Sequence, residues 1–386
     1  MISCKLHRTG DQNSSSTGAQ HSSAVITNSN DLLSEILLRL PVKSLVRFKS
    51  VSKQWLSQIS NPRFTHNHCL RNPSSVSGLF LRISLISLPP EKPNFDFISL
   101  DGKPTMAPFK SLMFSDDHEA IDLKQSCNGL LCCRSFRRNR GKHNYYIYNP
   151  VTKQYTTLPQ PKGISVFCIH LAFDPQKSPH YKAVCVSKSD TNSESYQIEI
   201  YSSETGPWRL SKGSFSVPLS LEFDKAVFWN GAINWYSFGE ASLYFNVDQE
   251  CLQTMPMPPL PEKWDTKRCR YFGESQGHLH LIEMDGYNAP CTTHFDVVEL
   301  DAFTIIYPNM VLEGESFISY AFSILCLVRG REEESCMVLR IIDEVILYNV
   351  QDNTYKKLHD LSPTLGDLLA YDGSDSYPYV ETLSCV

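Results

Sequence analysis

The sequence predicts a multidomain α+β protein in which a small module of three short helices precedes an all-β propeller. Apolar residues recur at helical spacing over residues 31–64. From about residue 77 onward, short runs rich in Val, Ile, Phe, Tyr and Trp alternate with Asn, Asp, Gly, Pro and Ser turns, which is typical of β-strands. Several runs repeat at intervals near 50 residues, and this period is typical of propeller blades.

Residues 1–28 are rich in Ser, Thr, Gln, Asn and His, and this composition predicts a disordered tail. The tail lacks the apolar core of a signal peptide, and the longest apolar run, residues 317–328, is too short to span a bilayer. The 13 cysteines are scattered without a CxxC pair, as expected for free thiols in a reducing compartment. We therefore expect a cytoplasmic or nuclear protein with no membrane partner.

The three predicted helices lie within residues 29–66. The first ends at Pro41, and Asn61-Pro62 stops the third. Their apolar residues are Leu32, Leu33, Ile36, Leu37, Leu40, Leu45, Val46, Phe48, Val51, Trp55 and Ile59. A module this short rarely holds a core alone, and it has no disulfide or metal signal, so we expect a partner protein. Residues 67–76 are predicted to form a linker to the β region.

The helical stretch resembles an F-box, because it fits the pattern DLLxEILxRLPxKSLxRFxxVxKxW from Asp31 to Trp55. Two positions depart from the pattern: Ser29-Asn30 replaces the usual Leu-Pro, and Ser52 replaces a common Cys. The resemblance implies docking on a Skp-family adaptor, which joins such proteins to a cullin–RING ubiquitin ligase. The residues that it implies for adaptor binding, or for its immediate support, are Leu32, Ile36, Leu40, Pro41, Leu45, Val51 and Trp55. For each of them, packing in a private three-helix core is the alternative.

A helix-turn-helix DNA-binding module is a second interpretation of the helices. Six basic and two acidic residues give residues 31–64 a charge of +4, whereas the whole chain carries −5. A DNA-reading helix needs polar side chains that reach base edges, and the third helix offers only Lys53, Gln54 and Ser57. A basic face also suits an acidic protein partner, so we do not expect binding to nucleic acid.

The β region, residues 77–386, repeats a hairpin in which an aromatic run is followed by a turn and a returning run. The anchors of the repeat are Leu100, Asn149, Ser202, Asn246, Leu300 and Asn349, at intervals of 49, 53, 44, 54 and 49 residues. Closure into a ring covers the faces and edges of sheets that are too small to bury them alone. Six anchors predict six kelch-like blades. A β-sandwich or two smaller β domains would also give short strands, but they would not predict this repeat.

Motifs in the β region are similar to the F-box-associated region of plant F-box proteins. They are Ser126-Cys127-Asn128-Gly129-Leu130-Leu131-Cys132, Tyr148-Asn149-Pro150-Val151-Thr152, Leu171-Ala172-Phe173-Asp174-Pro175, Tyr181-Lys182-Ala183-Val184 and Tyr379-Val380-Glu381-Thr382-Leu383. Together with the F-box, the resemblance covers the chain from about Asp31 to its last residue. We interpret these motifs as markers of the fold; Asn128-Gly129, for example, tolerates the positive φ of a tight turn.

The sequence contains no catalytic or cofactor-binding pattern: it has no P-loop, dinucleotide fingerprint or Gly-x-Ser-x-Gly elbow. His278 and His280 alternate on one predicted strand without a third metal ligand at a telling spacing. We therefore expect no metal, no cofactor and no enzymatic activity, although propellers can host enzymes.

Two basic loops are candidates for contact with a target. Residues 134–142 carry four arginines and a lysine, for which a solvated blade tip is the simplest interpretation. The second loop combines Trp264 and Arg268, residue types that are favoured in interfaces, and these two are the predicted substrate-binding residues.

The sequence thus predicts the substrate-recognition subunit of a Skp–cullin–F-box ubiquitin ligase, in which the β domain binds a protein target for ubiquitination. Two alternatives are a non-ligase F-box scaffold, and a propeller enzyme or small-molecule binder with an unrelated helical cap.

Overall fold

The computed structural model describes residues 31–73, 75–83, 93–101, 107–109, 111–114, 117–136, 142–163, 165–189, 195–217, 220–239, 241–259, 262, 267–285, 293–299, 304–312, 322–329, 335–341, 344–352, 354–361 and 376–386. The chain divides into two compact units, one ending at Asn72 and the other beginning at Pro73. The first unit is helical and the second consists of antiparallel β-sheets, so the predicted combination of fold classes is confirmed. The predicted tail, residues 1–28, lies outside the described residues.

The helical unit contains four helices: α1 (residues 31–37), α2 (Val42–Phe48), α3 (Lys53–Ile59) and α4 (Pro62–Arg71). Pro41 occupies the N-cap of α2, so this proline both follows the first helix and precedes the second. The hydroxyl of Ser52 caps α3 by accepting a hydrogen bond from the Trp55 amide at 3.2 Å. The buried apolar core of the unit is Leu37, Leu38, Val42, Leu45, Ile59, Phe64 and Cys69.

The fourth helix corrects the prediction of three helices and of a linker over residues 67–76, because residues 67–71 are helical. The Asn61-Pro62 pair that stops α3 also starts α4: Asn61 accepts a hydrogen bond from the Arg63 amide at 2.8 Å, and proline fits the first helical turn. His68 is buried in α4 and donates through Nε2 to the carbonyl oxygen of Leu40 at 2.8 Å. The helix therefore completes the core that the first three helices begin.

The β unit contains six antiparallel sheets within the described residues. The first two are β2-β1-β24, made of β1 (Val76–Ile83), β2 (Asn94–Ser99) and β24 (Ser376–Val380), and β3-β4-β5-β6-β7, made of β3 (Leu112–Phe114), β4 (Asp117–Cys127), β5 (Leu130–Ser135), β6 (Tyr145–Asn149) and β7 (Gln154–Leu158). The next two are β8 (Val166–Ala172), β9 (Lys182–Lys188), β10 (Tyr196–Ser202) and β11 (Gly206–Phe215), then β12 (Leu221–Trp229), β13 (Ala232–Ser237), β14 (Ala241–Asn246) and β15 (Cys251–Pro256). The last two are β16 (Lys267–Ser275), β17 (His278–Asp285), β18 (Thr293–Glu299) and β19 (Thr304–Leu312), then β20 (Phe322–Arg329), β21 (Ser335–Ile341), β22 (Glu344–Asn349) and β23 (Thr354–Asp360).

Five of the sheets are runs of four or five consecutive strands, as expected for propeller blades. The three-stranded sheet differs, because its strand β24 comes from the end of the chain and pairs with β1 at the start of the unit. The sheets number six, as predicted for the blades, only when this three-stranded sheet is counted as a blade. Strands β4, β8, β12, β16, β20 and β24 each contact the equivalent strand of a neighbouring sheet, which gives the ring its inner wall.

Apolar layers fill the space between neighbouring sheets. One layer brings Phe80 and Phe95 of the three-stranded sheet against Ile121, Leu131 and Tyr146 of the next sheet. A further layer joins the second and third sheets, and buried aromatic and aliphatic side chains recur between the later ones. Because each sheet is too small to bury both faces by itself, these layers are the core of the unit.

The repeated hairpin of the sequence follows the third strand of a sheet, counted from its inner strand, and leads to the fourth strand where the sheet has one. Asn149 accepts hydrogen bonds through Oδ1 from the amides of Val151 (2.9 Å) and Thr152 (3.2 Å), and Asn246 does the same two and three residues later. These bonds form an Asx-turn, for which asparagine is the favoured residue. Leu100 follows β2, the third strand of the ring-closing sheet counted from β24, so the five anchors among the described residues mark equivalent positions. The sixth anchor, Leu300, lies outside the described residues.

Among the described residues, no helix is both long enough and apolar enough to cross a lipid bilayer.

Candidate functional site

The helical unit exposes large apolar side chains that its own core does not use. Leu32 and Ile36 lie one turn apart on α1 and are 66% and 59% exposed, and Val51, just before α3, is 58% exposed. Pro41 is also exposed. Exposure of several aliphatic side chains on one small unit is the pattern expected of a surface that binds another protein.

The remaining predicted adaptor-binding residues lie deeper. Leu40 and Trp55 are half-buried, and the Trp55 ring makes an edge-on contact with Phe48, with 5.3 Å between ring centroids. Leu45 has no exposed surface and packs in the helical core, so of the two predicted roles it fits the immediate support of the surface.

Two exposed apolar residues of this unit are absent from the predicted set. Leu56 is 46% exposed on α3, and Leu70 is 53% exposed on α4. Leu56 lies outside the stripe formed by Val51, Trp55 and Ile59, and Leu70 belongs to the helix that was predicted as linker. Counting every leucine that does not fit a helical stripe would have drawn attention to Leu56, whereas Leu70 requires knowledge of α4.

The β unit encloses a cavity of about 240 Å³ between its inner strands. Its lining comes from five sheets: residues 124–127 of β4, 224–228 of β12, 271–274 of β16, 324 and 325 of β20, and several residues of β24. The charged side chains in the lining are Lys124, Asp224, Lys225 and Glu274. The lining of the cavity is therefore partly polar.

Glu274 and Tyr271 lie three positions apart on β16, and burial shifts the pKa of both side chains. Burial raises the pKa of the Glu274 carboxyl above its usual value, and the Gly277 amide, which donates to it at 2.6 Å, opposes this shift. The carboxylate nevertheless keeps contact with solvent through the cavity. Burial also raises the pKa of the Tyr271 hydroxyl well above its usual value.

The structure does not show the two predicted substrate-binding residues, Trp264 and Arg268, on one loop. Trp264 lies outside the described residues. Arg268 is the second residue of strand β16 and pairs in register with Met284, so its assignment to a loop is corrected. Lys267, Arg268 and Arg270 lie at the start of β16, which is the innermost strand of its sheet.

The other basic segment begins with a residue that has a structural partner. Arg134 lies on β5, and its Nη2 is 3.7 Å from Oδ2 of the buried Asp122. Lys124 and Arg82 approach the same carboxylate at 3.2 Å and 3.3 Å. Residues 137–141 of the segment lie outside the described residues.

The described residues contain no group of three or more His, Cys, Asp or Glu side chains that could hold a metal ion. His280 is fully buried, and its Nδ1 donates to the carbonyl oxygen of His278 at 3.1 Å.

Comparison with known proteins assigns a family to each unit. Residues 29–67 match the F-box domain, and residues 84–284 match the F-box associated beta propeller domain. The chain is 35% identical to F-box protein At5g07610 of Arabidopsis thaliana over 95% of both chains. It is 27% identical to F-box protein At5g49610 over 67% of this chain and 70% of that protein, and 27% identical to putative F-box/kelch-repeat protein At1g12870 over 60% and 59%, both from the same organism.

Proposed function

Because the chain belongs to the F-box proteins with an F-box associated β-propeller domain, we propose that it is the substrate-receptor subunit of a Skp–cullin–F-box ubiquitin ligase. The helical unit binds the Skp-family adaptor, and the propeller binds a protein that is to be ubiquitinated. The protein acts in the cytoplasm or the nucleus.

The observation that carries the proposal is the exposed apolar surface of the helical unit. Leu32, Ile36 and Val51 lose contact with water only if another protein covers them. Full burial of such a side chain contributes about 1.5–3 kcal/mol, so three of them can supply much of the stability of a micromolar complex. The basic residues Lys43, Arg47 and Lys53, all exposed on the same unit, favour an acidic partner by electrostatic steering.

The Ser52 hydroxyl caps α3, so the departure from the common Cys leaves the helix that carries Trp55 with a well-defined start. The second departure, Ser29-Asn30, lies outside the described residues.

A receptor of this kind contributes to catalysis by position. It raises the local concentration of a target lysine near a conjugating enzyme that is held elsewhere in the complex. Such a subunit needs no nucleophile, general acid or metal of its own. We therefore propose a receptor without enzymatic activity.

Co-purification of the full chain with a Skp-family adaptor tests the proposal. The Leu32→Ala/Ile36→Ala variant should lower adaptor affinity at least tenfold, because each change removes apolar surface from the contact. Leu210→Ala, which removes an equally exposed leucine on β11 of the propeller, is the matched control and should bind adaptor normally. Equal binding by both variants would refute the assignment of this surface.

The Leu40→Ala/Pro41→Ala variant tests the rest of the surface in the same assay. Reconstituted ubiquitination of a captured target then separates a ligase receptor from an F-box scaffold. Adaptor binding without target modification would favour the scaffold.

A further inference from the structure

The buried carboxylate of Asp122 is shared by three basic side chains, and these four residues are the Asp122 cluster. Nη1 of Arg82 lies 3.3 Å from Oδ1, while Nζ of Lys124 and Nη2 of Arg134 lie 3.2 Å and 3.7 Å from Oδ2. Within the described part of the chain, none of the three bases forms an ion pair with any other acid. The cluster therefore carries two positive charges more than its one carboxylate can balance.

This surplus sets the cluster apart from the other ion pairs between described residues of the β unit. Those contain at least as many acids as bases: Lys177 with Asp174, Lys182 with Asp248, Arg209 with Glu250, Lys225 with Glu222, and Lys357 with both Glu344 and Asp360. One basic side chain is enough to balance Asp122, and each further one adds repulsion between like charges. Pairing with Asp122 alone therefore does not account for three bases at this point.

The backbone holds the three bases in place from three strands of two sheets. Asp122 and Arg134 are direct partners in the register of β4 and β5, and Lys124 follows on β4. Arg82 is the last residue but one of β1, in the ring-closing sheet, whose strand β24 contacts β4. Groups on paired strands are positioned more precisely than groups on loops, so the charges converge on a fixed point.

The cluster is accessible to a ligand and has hydrogen-bond donors to spare. The side chains of Arg82, Lys124 and Arg134 are 21%, 29% and 27% exposed, and Lys124 also lines the central cavity. The Nε atoms of Arg82 and Arg134 are buried and have no hydrogen-bond partner among the described residues. Contact with Asp122 thus leaves both guanidinium groups incompletely satisfied.

The chemistry of these groups defines the ligand. A guanidinium group matches the paired oxygens of a carboxylate or a phosphate, and such charge-assisted hydrogen bonds are stronger than neutral ones. A ligand with two negative charges would balance the surplus of the cluster.

We propose that Arg82, Lys124 and Arg134 form a binding site for an oxyanion, carboxylate or phosphate, that is carried by the target protein. Asp122 orients the three bases without neutralising them. This inference rests on the proposed function in one respect, namely that the propeller is the part of the receptor that captures the target.

Saturation-transfer NMR on the full chain tests the proposal with acetylated and amidated tetrapeptides of defined charge. Ala-Asp-Asp-Ala and Ala-phosphoserine-Asn-Ala each carry about two negative charges at pH 7.5, and Ala-Asn-Asn-Ala is the neutral reference. We expect an anionic peptide to bind at least five times more tightly than the neutral one, and added salt to weaken only anionic binding. Preference for one anionic peptide identifies carboxylate or phosphate as the group recognised. Equal binding of all three peptides, or no binding of any, would overturn the proposal.

Single substitutions locate the binding site. Arg82→Gln and Arg134→Gln should each weaken binding of the preferred anionic peptide at least threefold, and the double variant should reduce it to the level of the neutral peptide. Each single variant leaves Asp122 with two bases, so the fold should persist, and thermal unfolding checks this. Lys182→Gln is the matched control, because it removes a partly exposed, ion-paired base from another part of the propeller. If the control and both cluster variants bind alike, the anion is held elsewhere and the proposal is wrong.

The measurement contains no adaptor, so its failure would leave adaptor binding untouched. Conversely, a chain that binds the anionic peptides but no adaptor would contradict the proposed function and leave the oxyanion site in place.

Discussion

Asn149 and Ser384 are joined by a hydrogen bond of 2.8 Å from the asparagine side-chain amide to the serine carbonyl oxygen. The same amide also donates to the carbonyl oxygen of Thr382 at 3.1 Å. Because Oδ1 of this asparagine forms the Asx-turn after β6, one fully buried side chain both shapes a hairpin and fastens the residues that follow β24. Asn149 thus both forms the repeated turn and holds the residues that follow β24.

Replacing Asn149 by alanine should therefore destabilise the protein more than the same change at an equivalent turn. The variant leaves two buried carbonyl oxygens without their donor, and we expect a loss of about 2–4 kcal/mol in the free energy of unfolding. Asn246→Ala, which removes only the Asx-turn bonds, should cost about 1 kcal/mol. Urea unfolding of both variants measures the difference, and equal losses would contradict the role of Asn149 in holding the chain end.

Gly129 also contacts the closing segment, residues 376–386, and replacing this glycine should strongly destabilise the protein. It has φ +88°, and a Cβ placed on it would lie 2.8 Å from the carbonyl oxygen of Val380. Gly231 has φ +77° in the corresponding turn after β12, with open space around it. Gly231→Ala should cost about 1–2 kcal/mol from backbone strain alone, and Gly129→Ala at least twice as much, because the closing segment must also move. Thermal unfolding compares them; similar melting temperatures would rule out the steric contribution.

Stability should fall in mild acid because of His170. This histidine is 3% exposed, and burial lowers its pKa to about 4, whereas in the unfolded chain it takes up a proton near pH 6.5. The unfolded state therefore binds more protons between pH 6.5 and pH 4, and the native state loses roughly 3 kcal/mol over this interval.

His170→Gln should remove that part of the pH dependence, and His180→Gln, a change at an exposed histidine, should leave it unchanged. Urea unfolding at pH 7, 5.5 and 4.5 provides the data. An identical pH dependence for the wild type and both variants would show that His170 is not responsible.

The cysteines should differ sharply in their reactivity toward alkylating agents. Burial raises the pKa of the Cys127, Cys132 and Cys326 thiols to about 12, so almost none of these groups is ionised at pH 8. Cys385 is exposed. Mass spectrometry of the native protein after brief iodoacetamide treatment should find Cys385 modified and the three buried thiols protected until denaturant is added. Early modification of Cys132 would contradict the described packing.

The repeat of the sequence predicted the propeller because the residues that form its turns are local. Asn149, Asn246 and Asn349 accept hydrogen bonds from backbone amides two or three positions later, so their role is visible in a short window of sequence. The fourth helix was missed for a local reason too: the Asn61-Pro62 pair is both a stop and a start signal, and only the stop was recognised.

The candidate sites were less predictable because they depend on packing. Leu45 and Ile36 look equivalent on their helical stripes, yet Leu45 is fully buried and Ile36 is 59% exposed, which depends on how the helices pack. Asp224 and Glu274 are 50 positions apart in the sequence, and both line the cavity because their strands occupy equivalent places in neighbouring sheets. Charge composition near Trp264 gave no information about this cavity.

The pairing of β24 with β1 also fixes when the ring can form during synthesis. The hydroxyl of Ser77 donates to the carbonyl oxygen of Tyr379, 302 positions later. Strand β1 can therefore pair with β24 only after almost the whole β unit has been synthesised. At translation rates of about 5–20 residues per second, β1 spends tens of seconds with an unpaired edge. During that interval the nascent chain is a substrate for chaperones, and a ribosome that stops before Ser376 releases a propeller that cannot close.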